Sequence, residues 1–208
     1  ALEYIRSRGL SDRTIRHFGL GFAKNSWDDL RGYLHSKGYS DEELYQAALV
    51  SKGRNGSYYD QFRNRFMFPI IDVRGNVIGF GGRVLDDSKP KYLNPADTPV
   101  FKKSRNLFAL NFAKNTKERS LILGEGYMDV IAMHQAGFTN AVATLGTSLT
   151  ADQARMIAQY AKEVIIAYDS DSAGQTATKR ALSLFEETGI KVRILSIPDA
   201  KDPDEYIK

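Results

Sequence analysis

Hydrophobic positions in the second half of the chain come in short apolar runs. Each run ends at small or acidic residues, and a stretch with helical spacing follows. The runs at 121–123, 141–143, 164–168 and 192–197 predict buried strands. The stretches between them predict helices: one ending near 135, one capped by Ser148 or Thr150 and reaching 160, and one over 175–188. Strands alternating with helices predict a parallel sheet with helices on both faces.

The first half has a different rhythm. Residues 1–49 read as short helices, with Ser11 and Ser40 as N-caps and acidic residues at 41–43 in the first turn of the second capped helix. Trp27 and Tyr33 are expected in the core. From 51 to 85 the pattern changes to strands. The apolar runs 66–71 and 77–80 flank Asp72, Arg74, Gly75 and Asn76, a hairpin signal. Glycines at 79, 81 and 82 allow a bulge or close backbone approach. The run does not satisfy the dinucleotide fingerprint, and no phosphate-binding P-loop is present. Residues 89–103 (KPKYLNPADTPVFKK) form a proline-punctuated, lysine-bearing loop that leads through 106–116 into the second half. The expected class is thus a mixed α+β N-terminal subdomain over 1–116, followed by a parallel-sheet α/β domain over 117–208.

Composition excludes several classes. No apolar run is long enough to span a membrane, and the opening ALEYIRSRGL has no apolar signal core. That opening lacks a methionine and starts in a helical pattern, as expected of a piece of a longer protein. There is no cysteine among the 208 residues, so neither a disulfide framework nor a thiolate zinc site is available. Charge is unevenly spread. Residues 1–120 hold 21 Lys and Arg against 13 Asp and Glu, whereas 121–208 hold 8 against 12. A basic half joined to an acidic half suggests a polyanion on one side and metal ions on the other; mixed charge also serves solubility.

The acidic residues have a common address. Glu125 follows the first strand of the second half, and Asp169 and Asp171 follow the third, in VIIAYDSDSAG (164–174). Asp202 and Asp204 lie beyond the fourth, in KDPDEY. All are expected along the carboxyl edge of one sheet, where open α/β sheets bind ligands. Hard oxygen ligands suit Mg²⁺, and the near absence of histidine argues against zinc. A solvated strand-to-helix turn with Asp171 as N-cap also fits the DxD alone. Asp129, one turn after Glu125, reads equally as a solvated helix residue or a site member. Gly146 and Thr147 read as a turn with a helix cap, or as an anion contact at a helix N-terminus.

A Glu-Gly pair, then DxDxAG, then a distal acidic element resembles the TOPRIM domain of primases, topoisomerases and some nucleases. Longer strings narrow the resemblance: RFMFPIIDVRGNVIGFGGRVL (65–85), KPKYLNPADTPVFKK, EGYMDVIAMHQAG (125–137), ATLGTSLT (143–150), YDSDSAGQ (168–175) and KDPDEYI (201–207). Together they are similar to the RNA polymerase domain of bacterial DnaG-type primases, over nearly the whole chain. The resemblance implies a DNA-templated RNA polymerase that makes short primers, with Glu125, Asp169 and Asp171 catalytic. With Asp202 and Asp204 these would bind two Mg²⁺ or Mn²⁺ ions or act beside them, with Glu125 either a metal ligand or a general base. It implies a phosphate-gripping ridge of Arg65, Arg83, Lys91, Asn94 and Lys103, to which Arg8, Arg63 and Lys102 are added. Tyr92 would stack a base or pack. The implied partners are single-stranded DNA, ribonucleoside triphosphates, the RNA primer and, through a further C-terminal domain, the replicative helicase. No membrane is involved, and the implied place is the bacterial cytoplasm at the replication fork. Zinc would belong only to a preceding module. Other readings are a TOPRIM nuclease or topoisomerase fragment, a DxD phosphatase, or an inactive single-strand-binding module.

Overall fold

Alternation along two adjacent strands sets the first half. In the computed structural model, which describes residues 2–146, 148–196 and 202–207, helices α1 (Leu2–Ser7) and α2 (Asp12–Phe18) lead to strand β1 (Gly21–Ala23). Helices α3 (Asp29–His35) and α4 (Asp41–Gln46) follow, then a two-stranded ribbon of β2 (Val50–Lys52) and β3 (Tyr58–Asp60). Ser11 and Ser40 cap α2 and α4 as expected. Strands β4 (Arg65–Ile71) and β5 (Val77–Val84) form the expected hairpin. Its turn is held by Asp72 Oδ1, which accepts from the Arg74 and Asn76 amides. With β6 (Tyr92–Leu93), inside the proline-punctuated loop, they give an antiparallel sheet in the order β1-β4-β5-β6.

On β4, Phe66, Phe68 and Ile70 are buried on one face, and the register sets Arg83, Gly81 and Gly79 beside them. Gly81 and Gly82 therefore serve close approach, while Gly79 borders the bulge, where pairing shifts between Ile70 and Ile71. Pro69 is tolerated in a central strand because the pairing with β1 stops at Met67.

The placement of Trp27 and Tyr33 corrects the sequence expectation. They are 64% and 60% exposed, and α3 buries no residue. Helices α3 and α4 pack on a ribbon of only two strands, which offers too little apolar area to enclose large aromatics. Trp27 instead stands edge-on to Tyr59, with the Arg63 guanidinium 4.0 Å above its ring.

After α5 (Leu110–Ala113), the second half is β7 (Ser120–Gly124), α6 (Tyr127–Gln135), β8 (Ala141–Ala143), α7 (Ala151–Tyr160), β9 (Glu163–Ala167), α8 (Ser172–Glu186), β10 (Lys191–Ile194) and α9 (Pro203–Ile207). The four strands are parallel in the order β10-β9-β7-β8. Strands β7, β8 and β9 bury both faces, as near-continuous apolar runs require. Strand β10 does not, since it is an edge strand with Lys191, Arg193 and Ile194 exposed, which corrects the expected buried run at 192–197. Ile122, Ala141 and Ala167 pack with Val130 and Ile131 of α6. Leu121, Leu123, Val164 and Ile166 pack on the other side with Ile157 of α7 and Phe185 of α8. Phe108 bridges to Ala143 and covers the β8 edge. Thr150, not Ser148, caps α7. Helix α8 starts at Ser172, earlier than expected, because Asp171 caps it.

One hydrophobic cluster joins the halves: Ile5, Phe18, Phe66 and Phe68 share it with Val130 and Ile131. A polar clasp reinforces the joint. Gln135 accepts from the Ser11 amide and the Thr14 hydroxyl, and donates to the Gly9 carbonyl. The anion contact considered for Thr147 falls outside the described residues, as do Lys201 and the expected end of the fourth strand beyond 196.

Candidate active site

Strand register aligns the acidic edge. Gly124 of β7 lies level with Ala143 of β8 and Ala167 of β9, so the residues that follow β7 and β9 leave the sheet at one height. Glu125 Oε1 accepts from the Asp169 amide at 3.1 Å, tying the two strand ends together. Gly126 then opens α6, and its amide donates to Asp129 Oδ2 at 3.0 Å. From α9, Asp202 caps the helix by accepting from the Glu205 amide, and Asp204 is 6% exposed.

These groups meet residues of the first half in a cleft of about 330 Å³. The acidic wall is Glu125, Asp129, Asp169, Asp202 and Asp204; the facing wall carries Arg8, Arg83, Lys91, Tyr92 and Asn94. Arg8 Nη2 pairs with Asp204 Oδ2 at 3.1 Å across it. Arg83 is 9% exposed and flanked by the rings of Tyr4 and Tyr92. Its Nε and Nη1, and Nε of Arg8, are buried without a hydrogen-bond partner among the described residues. A buried donor left unfilled costs free energy, about 1–3 kcal/mol each, and an anion in the cleft is a partner that these donors could take.

The opposite wall gathers carboxylates. Burial, then the charges of Asp202, Asp169 and Asp204, push the Asp129 carboxyl up to about 7 against the opposing Gly126 amide bond. Burial likewise raises Tyr92 to about 12, with Arg83 opposing, and raises Tyr127 and Tyr168, so these phenols stay protonated. The donor set is all oxygen, which fits Mg²⁺ or Mn²⁺. Among the described residues, no three acidic or histidine side chains already stand close enough to grip one ion.

The structure brings together Glu125, Asp169, Asp202, Asp204, Arg8, Arg83, Lys91 and Asn94 from the sequence candidates. It separates others. Asp171 is not in the cleft lining; its Oδ1 accepts from the Ala173 and Gly174 amides at 3.0 Å each. Arg63 and Arg65 line a second cleft of about 550 Å³, with Tyr59, Gln61, Lys89 and Pro90. There Arg65 Nη1 donates to the Pro90 carbonyl at 3.0 Å. Lys102 pairs with Asp97 at 3.6 Å, and the Lys103 amide donates to Asp97; neither lysine lines either cleft. Parity explains the split of the arginines. Arg65 pairs with Val84 and Arg83 with Phe66, so the two leave the sheet on opposite faces. Sequence reasoning left Asp129 undecided, although its i+4 spacing from Glu125 was a signal. It did not single out Tyr127.

A parallel four-stranded sheet with a Glu and an Asp on its carboxyl edge defines a Toprim-like domain, and residues 122–207 match the family so described. Residues 1–114 match the N-terminal domain of the DNA primase catalytic core. The chain belongs to the DnaG-type DNA primase family. It is 52% identical to the DNA primase of Clostridium acetobutylicum, covering 100% of this chain and 35% of that protein. It thus spans about a third of the length of that relative. Among solved structures, it is similar to the Escherichia coli primase catalytic core, at TM-score 0.91 and 41% identity, over 99% of this chain and 67% of that one. It is also similar to a DnaG primase catalytic domain bound to single-stranded DNA, at TM-score 0.87 and 42% identity, over 97% and 67%. No helix among the described residues is long and apolar enough to cross a membrane.

Proposed function

We propose that the chain is the catalytic core of a primase, joining ribonucleotides on a single-stranded DNA template. The observation that carries this reading is one cleft in which five carboxylates face two arginines whose buried donors are unfilled. A metal-bound nucleoside triphosphate is the ligand that satisfies both walls. Glu125, Asp129, Asp169, Asp202 and Asp204 would hold divalent ions, with bound phosphate completing their coordination. When bound, such ions neutralise triphosphate charge and favour attack by the primer's 3′-hydroxyl. The protein's own part is positioning. Arg83 and Arg8 grip phosphate, the Glu125–Asp169 bond fixes the acidic edge, and Asp171 anchors α8 against it. The second cleft suits the template strand, because Arg63 and Arg65 in its lining offer charge, half-buried Tyr59 lies beside them, and exposed Trp27, packed against Tyr59 and Arg63, offers a ring for stacking next to it. The work belongs at the bacterial replication fork, with the helicase engaged through another part of the longer protein.

The direct test is incorporation of ribonucleotides on a defined single-stranded DNA, with Mg²⁺ or Mn²⁺ and with chelator. RNA complementary to the template, formed only with the ion, supports the reading; template-independent or ion-independent product sinks it. Arg83→Ala should raise the ribonucleotide Kd by about tenfold and lower the salt slope of nucleotide binding, with template affinity little changed. Trp27→Ala should weaken template binding by about 1–3 kcal/mol, with the nucleotide Kd unchanged. If each variant affected both ligands equally, the assignment of separate clefts would be wrong.

A further inference from the structure

Tyr127 is the first residue of α6 and contacts neither the acidic edge nor the arginines through its hydroxyl. It is 4% exposed, and its ring stacks on Phe68 at 4.6 Å and meets Phe108 edge-on at 4.8 Å. The ring lies against the bare backbone of Gly81: a Cβ there would stand 2.5 Å from the phenol oxygen. That oxygen donates to Asn94 Oδ1 at 2.5 Å. Asn94 is in turn pressed onto Gly146, where any Cβ would overlap the Asn94 amide nitrogen. Asn94, Tyr127 and Gly146 all line the cleft beside Arg83 and Lys91.

In this arrangement the Asn94 amide turns its oxygen to the Tyr127 phenol and its nitrogen to Gly146. A carboxamide offers an acceptor at one end and two donors at the other, and it reverses by a simple rotation. Only the donor end suits a phosphate oxygen. The phenol, kept protonated by burial, occupies the carbonyl end and leaves the NH₂ group over Gly146 at the cleft wall.

We propose that Tyr127 is a positioning residue that locks the Asn94 carboxamide with its donors toward the cleft, where they bind a phosphate oxygen of the incoming ribonucleotide. Because Tyr127 stands on Gly81 of β5 and begins the helix that follows Glu125, the same bond ties the phosphate wall to the acidic edge. The proposal rests on the reading of this cleft as the nucleotide site. It accounts for a tyrosine, rather than a phenylalanine, in an otherwise apolar aromatic stack.

The test is a double-mutant cycle read by calorimetric binding of ATP with Mg²⁺ and, separately, by incorporation kinetics. Tyr127→Phe keeps the stack and removes one hydroxyl. It should raise the ATP Kd and the KM by about fivefold, as expected for one hydrogen bond, with kcat altered less than about twofold. Asn94→Ala should lose as much or more. The double variant should be no worse than Asn94→Ala alone, because the hydroxyl then has nothing to hold. Asn94→Asp, lacking donors, should not rescue binding. Unchanged ATP binding in Tyr127→Phe overturns the proposal. So do losses that multiply in the double variant, which would mark Tyr127 as a packing residue only. A wild type that binds ATP with the expected cycle but incorporates nothing would refute the polymerase reading and leave this proposal standing.

Discussion

Glu125→Gln should lower ribonucleotide incorporation by about a thousandfold or more while the protein stays folded. The amide keeps an oxygen where Glu125 Oε1 accepts from the Asp169 amide, so the tie between the ends of β7 and β9 survives. What is lost is one negative charge from the wall proposed to hold divalent ions against phosphate. Losing one group that stabilises transition-state charge typically costs about 10²–10³ in rate, and a weakened metal site adds to that. The sign for stability is opposite. Glu125 shares the cleft with Asp129, Asp169, Asp202 and Asp204, so removing one of these like charges relieves repulsion in the metal-free protein. The melting temperature without metal should be unchanged or higher than wild type, and the increase that Mg²⁺ gives the wild type should shrink. A variant with normal incorporation would remove Glu125 from the active centre.

Gly174→Ala should damage both fold and activity. A Cβ at this position would overlap the Asp169 carbonyl oxygen, stand 2.8 Å from the Asp169 carbonyl carbon and 3.0 Å from Glu125 Oε1. The first two neighbours are backbone, so they cannot swing aside. Helix α8 would have to move from the end of β9, breaking the Asp171 cap and shifting Asp169. Overpacking of this kind costs about 1–3 kcal/mol, which for a chain of this size lowers the melting temperature by roughly 2–10 °C. Incorporation should be lost even below the melting transition, because a shift of about 1 Å at a catalytic group costs on the order of a hundredfold. A Gly174→Ala protein with wild-type melting and activity would show that this contact is slack.

The acidic edge was legible because strand ends are where short apolar runs stop, and Glu125 and Asp169 sit one residue or two beyond such a stop. The parallel sheet was legible for the same reason. The basic side was harder. Arg65 and Arg83 look equivalent in the sequence, but one residue of register sends them to opposite faces of the antiparallel sheet. Asp171 illustrates the limit of a motif: the second acid of DSD supports both a cap and a site role, and the structure shows the cap bonds directly. Trp27 and Tyr33 were misplaced because apolar character says nothing of how much surface a two-stranded ribbon can cover. The Tyr127–Asn94 contact, 33 residues apart in the sequence, has no local signature. It follows from Gly81 making room for a ring on the sheet.

The central claim is that one cleft binds cation and triphosphate together. The most direct measurement is Mn²⁺ binding by electron paramagnetic resonance, with and without ATP, in the wild type, Asp169→Asn and Arg83→Ala. The account predicts that ATP tightens Mn²⁺ binding in the wild type and that Mn²⁺ tightens ATP by the same factor, as linkage requires. Asp169→Asn should weaken Mn²⁺ in both conditions, and Arg83→Ala should weaken only the coupling with ATP. Mn²⁺ and ATP that bind independently, or Mn²⁺ affinity untouched by Asp169→Asn, would contradict it.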